Sequence, residues 1–87
     1  MCYADLSDAL RRLTDDRATL VIDGTPLGRV DLRETTIHLG HLHLDGDLDV
    51  AFRLDRIRDV SREGLRFVHH RADGRDETVE LALDRAA

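Results

Sequence analysis

His41 and His43 stand two residues apart in an alternating segment, so their imidazoles project from one face of a strand. With His38 just upstream and an acid nearby, such a pair could begin a zinc or nickel site, since imidazole suits both metals. The segment has no cysteine, no His-Glu-x-x-His helix and no third ligand at a fixed spacing. With a change of parity at Gly40, Leu39, Leu42 and Leu44 instead make a core face and leave the histidines on the wet face. The reading is therefore no metal and no other cofactor, with His41 and His43 as the candidates to watch. His69 and His70 adjoin at the end of a strand, where they alternate faces, so only one of them could join such a cluster.

The charged residues are the second source of chemistry. Residues 53–75 carry seven arginines against four acids, inside a chain whose net charge is −5. Arg53, Arg56 and Arg58 alternate with Asp55 and Asp59, closely enough to pair among themselves. The same guanidinium forks could grip phosphate or carboxylate in two-pronged contacts. Just upstream, Asp45, Asp47 and Asp49 form an acidic run at every second position, suited to a basic partner. All thirteen cations are Arg.

Nucleophilic or acid–base catalysis finds no framework. Ser7 sits where a helix is capped and Ser61 near a turn, neither within Gly-x-Ser-x-Gly. The pairs Asp15-Asp16 and Asp76-Glu77 read as solvated charge at element ends, and the six glycines are single, with no phosphate loop. The expectation is a protein that is not an enzyme.

These residues need elements to hold them. Leu6, Ala9, Leu10 and Leu13 make one apolar stripe with helical spacing, which predicts a helix over about 5–16, opened by Asp5, Ser7 and Asp8. From Ala18 the period becomes two. Thr19–Asp23 is a β-branched run closed by Asp-Gly; Val30 and Leu32 alternate with charges; Ile37 and Leu39 point inward; Asp45-Gly46 signals a hairpin. Leu48, Val50, Phe52 and Leu54 give one strand face, and Leu54, Ile57 and Val60 suggest a helical turn before a short strand. Turns at Glu63-Gly64 and Asp73-Gly74 bound Leu65–His70 and lead into Val79–Leu83, with Phe52 and Phe67 as core. The prediction is a mainly β domain behind one N-terminal helix: a small, strongly bent antiparallel barrel of five to six strands over about 18–84, one domain spanning 1–87.

Two pieces carry a resemblance. Val21-Ile22-Asp23-Gly24-Thr25-Pro26-Leu27-Gly28-Arg29-Val30 resembles the first hairpin of Sm-like, SH3-type small barrels, where an Asp-Gly turn leads to a Gly within a bent strand. Ala51-Phe52-Arg53-Leu54-Asp55-Arg56-Ile57-Arg58-Asp59-Val60 is similar to the late strand, turn and strand of such barrels, of WYL domains and of the Rof family of small acidic Rho inhibitors. The Asn-bearing RNA pocket of Sm proteins and the WYL triplet are missing. The resemblance implies the barrel, and implies an RNA site less strongly.

Cys2 is the only cysteine, so no disulfide forms within the chain and a reducing compartment is the default. There is no basic-then-apolar leader and no apolar run of about 18 residues. The expectation is a cytoplasmic protein with no membrane span. Its expected role is that of a regulatory or adaptor module binding a protein partner through Asp45, Asp47 and Asp49 or through Arg53, Arg56 and Arg58. Two alternatives stand beside it: an RNA- or DNA-binding barrel using the Arg block 53–75, and a self-assembling structural module, a homo-oligomer.

Overall fold

A computed structural model describes Ser7, Asp8, Arg11 and residues 17–61 and 65–83. Ser7, Asp8 and Arg11 have helical backbone; the rest of the expected 5–16 helix lies outside the described residues, as does the Glu63-Gly64 turn. No helix among the described residues is long and apolar enough to cross a membrane.

Eight strands follow in chain order: β1 (Arg17–Ile22), β2 (Thr25–Asp31), β3 (Thr36–His38), β4 (His41–Asp45), β5 (Asp49–Arg53), β6 (Ile57–Ser61), β7 (Leu65–His70) and β8 (Asp76–Leu83). They form an antiparallel five-stranded sheet, ordered β2-β1-β8-β7-β6, and a three-stranded sheet, β3-β4-β5. This corrects the expected single barrel of five to six strands. Two corners account for the difference. Single 3-10 turns at Leu32–Glu34 and Leu54–Arg56, the second expected from the spacing of Leu54, Ile57 and Val60, interrupt the strands, and each turn delivers the chain from one sheet to the other. At the first corner the Asp31 carboxylate accepts a hydrogen bond from the Arg33 amide at 3.0 Å, and the Thr35 amide donates to the Leu32 carbonyl. Backbone groups used in these turns are lost to the ladder, so the strands do not close into a continuous barrel.

The sheets bury their facing sides against each other. Ala18, Leu20, Val30, Leu65, Phe67, Val79 and Leu81 come from the larger sheet, with Leu42, Leu44 and Phe52 from the smaller. Phe52 and Phe67 meet edge to face across the interface, ring centroids 5.5 Å apart, the favoured geometry for an aromatic pair. Alternation therefore places the core correctly in β4, β5, β7 and β8.

One leucine departs from its expected place. Leu39 is not inward; it is 84% exposed at the tip of the β3–β4 hairpin, with φ +51°, followed by Gly40 at φ +75°. A tight turn of this hand needs positive φ at both central residues, so the parity change at Gly40 is a full chain reversal. The β4–β5 connection is also longer than its Asp45-Gly46 signal implies. Asp45 pairs with Asp49, leaving Gly46, Asp47 and Leu48 between the strands. These three residues fold over the open edge of β2. Gly46 bridges to Val30, the Asp47 amide donates to the Arg29 carbonyl at 3.0 Å, and Leu48 sits against Gly28. The hairpin thus ties the smaller sheet to the larger one.

Candidate partner-binding surface

The acidic trio occupies this connection. Because Asp45 and Asp49 are register partners at the end of the β4–β5 ladder, their carboxylates stand on the same face of adjacent strands. Asp45 Oδ1 accepts the Gly46 amide at 2.9 Å, and Asp47 faces the Arg17 guanidinium at 3.8 Å, a loose exposed pair. Among the described residues neither Asp45 nor Asp49 has an ion pair. All three acids are exposed. Like charges placed directly opposite weaken a sheet, so this corner is arranged against the interest of folding.

The basic trio lies elsewhere. Arg53 ends β5 opposite His41, four strand steps or about 13 Å from the acidic end of the same ladder. Its guanidinium bonds the Asp55 carboxylate at 2.7 Å. Arg58 bonds Asp76 of β8 and lies 4.0 Å from Asp59. Arg56, half-buried at the second corner, directs Nη1 to the backbone carbonyls of His70 and Arg71 at 3.5 and 3.4 Å. The six residues singled out in the sequence therefore do not form one site. The structure groups the acids at one corner, sets Arg56 and Arg58 on one concavity at another, and holds Arg53 and Arg58 with neighbouring carboxylates.

The wet-face reading of the histidines fits their placement. His38 is the register partner of His41, which puts His38, His41 and His43 on the outer face of the smaller sheet. The His41 and His43 rings are 5.9 Å apart and tilted, and His41 Nδ1 lies 3.0 Å from the Leu39 carbonyl. Among the described residues no group of three His, Cys, Asp or Glu side chains is placed to hold a metal ion.

The β7–β8 hairpin holds what sequence reasoning missed. Asp76-Glu77, expected as solvated charge, pairs residue by residue with His70 and His69. His70 Nδ1 lies 2.8 Å from Asp76 Oδ1 on the outer side. On the inner side His69 Nδ1 lies 2.7 Å from Glu77 Oε2, and the two side chains retain only 16% and 12% of their exposure. His69 also packs edge to face on Phe52, 5.0 Å between rings. Counting outward from Asp73-Gly74 as a two-residue turn would have set His70 against Glu77; the loop instead spans 71–75, closed by the Arg71 amide on the Arg75 carbonyl, and centres the register on Asp73. Hydrogen bonding to His70, and then the nearby Arg58 charge, hold the Asp76 carboxyl below the value of 3.8 ordinary for Asp, while its partial burial pushes the other way.

No family model, curated protein or solved structure matches this chain. A functional reading therefore stands on the arrangement of its residues.

Proposed function

We propose that this protein is a non-enzymatic regulatory or adaptor module that holds a basic protein partner at the acidic end of its β4–β5 hairpin. The observation that carries the reading is the opposition of Asp45 and Asp49 at the end of a ladder, with Asp47 in the loop between them. A folding domain gains nothing from this placement, whereas a cationic partner gains a focused negative corner. The edge of β5 runs from the same corner, and among the described residues β5 has a single ladder partner, β4. An extended segment of the partner could add along that edge while its basic side chains meet the carboxylates. The competing edges are less suited. Gly46 and Asp47 cover part of β2, β3 has three residues, and β6 is kinked by Asp59 at φ +55° with a shift of register.

Nucleic-acid binding is the weaker reading. The net charge of −5 repels a long polyanion, and of the aromatics a base could stack on Phe52 and Phe67 are buried, while Tyr3 lies outside the described residues. The two-sheet arrangement with corners at 32–34 and 54–56 also supports reading the fold as an opened relative of Sm-like small barrels.

The test is affinity capture from a lysate of the source organism, followed by identification of the retained proteins. Asp45→Lys with Asp49→Lys should abolish capture of the main partner, while Arg53→Gln with Arg58→Gln should leave it. Capture that survives the acidic reversal, or nucleic acid that co-purifies and is released by high salt, would overturn the reading.

A further inference from the structure

A second site lies at the corner between β5 and β6. The 3-10 turn Leu54–Arg56 brings Arg56 against the end of β7, where the carbonyls of His70 and Arg71 hold one of its terminal nitrogens at 3.5 and 3.4 Å. Both contacts are long and both acceptors are neutral. Among the described residues Arg56 has no carboxylate partner, although it is half-buried. A guanidinium so placed keeps its remaining N–H groups for a ligand.

Arg56 does not stand alone. Ile57 pairs with His69, so Arg56, the last residue of the turn, and Arg58 on β6 flank that pair while His70 lies beside it on β7. Arg56, Arg58 and His70 line one concavity of about 440 Å³, together with Ile57 and Asp55. The one acid in the wall is turned aside: Asp55 bonds Arg53 at 2.7 Å. Behind the wall, Asp76 bonds both Arg58 and His70 Nδ1, which fixes the orientation of two of the three groups. His70 Nε2 has no partner among the described residues. The arrangement is a concave surface with two permanent cations and an imidazole, the latter and one of the former braced by the single carboxylate of Asp76 from β8.

We propose that the concavity formed by Arg56, Arg58 and His70 binds the phosphate group of a small phosphorylated ligand. Planar guanidinium forks match the oxygens of a tetrahedral phosphate, and charge-assisted bonds of this kind are the stronger class of hydrogen bond. The concavity is open to solvent, so a phosphate attached to a further phosphate or to a carrier group can enter it. A nucleic-acid backbone is disfavoured because the acidic hairpin and the net charge of −5 repel a long polyanion. This site is separate from the acidic corner and does not depend on it.

The test is a titration with pyrophosphate at constant ionic strength, followed by the Nε–H signals of the arginines and the ring signals of His70. Saturable shifts are expected at Arg56, Arg58 and His70, and none at Arg33, which lies at the other corner. Arg56→Gln should weaken binding about tenfold, the loss of a charge-assisted bond. Arg58→Gln, which leaves the Arg56 contacts to β7 in place, should weaken it to a similar extent. Linear, unsaturated shifts shared by Arg33 would overturn the site. Tighter binding of a single-stranded oligonucleotide than of pyrophosphate would overturn its assignment to a small ligand.

Discussion

Asp76 connects three elements through one side chain: it stands on β8, bonds His70 on β7 and bonds Arg58 on β6. Its carboxyl is held below the ordinary 3.8, first by the hydrogen bond to His70 and then by the Arg58 charge. The folded form therefore takes up this proton less readily than the unfolded chain. Its contribution to stability is complete above the ordinary Asp range and is lost as pH falls through the depressed value. Urea denaturation at about pH 7 and again at about pH 2 should show the wild type losing more stability than Asp76→Asn. Equal losses would contradict the role given to this carboxylate. Its neighbour Glu77 has the same kind of partner on the opposite face, where His69 and Glu77 close the end of the core. Polar side chains facing inward at the rim of a thin core remain satisfied because they face each other.

At the scale of elements, the β4–β5 connection sets how the two sheets meet. A Cβ added at Gly46 would lie 2.8 Å from the Cα of Val30 and 2.9 Å from the amide nitrogen of Asp31, both backbone atoms that cannot swing away. Gly46→Ala should therefore destabilise the protein by about 1–3 kcal/mol, the range for overpacking a tight site, as read by urea denaturation. Gly28→Ala makes a useful comparison, because its Cβ would meet side-chain atoms of Leu48, Cγ and Cδ1 at 2.9 Å, rather than backbone. A harmless Gly46→Ala would mean that the sheets are not fastened there. Much of this scale is legible in the sequence. The Asp23-Gly24 hairpin, the helical turn at 54–56 and the buried parity of β4, β5 and β7 follow from turn chemistry and alternation. The corner at 32–34 is not legible, because Leu32, Arg33 and Glu34 carry no breaker and the turn is stabilised by Asp31 capping the Arg33 amide. Leu39 was misplaced for a related reason. Local pattern favours a leucine inward, while the left-handed turn at 39–40 turns it to solvent. The candidate sites were legible as residue types but not as groupings, since register alone decides which charges become neighbours.

For the whole molecule, the uneven charge is the feature that bears on function. The acids at 45, 47 and 49 gather at one corner, while in the Arg block Arg53, Arg58 and Arg71 stand beside carboxylates of Asp55, Asp59, Asp73 and Asp76. A basic partner approaching such a surface is steered to the acidic corner, and the effect weakens as salt rises. The most direct test measures folding stability and partner capture on the same variant, Asp49→Lys. Replacing one of two opposed carboxylates by a cation should raise stability by up to about 1 kcal/mol, the scale of a cross-strand charge pair. Capture should fall several-fold in the same protein. A variant that is more stable and still captures its partner fully would show that the acidic corner is not the binding surface.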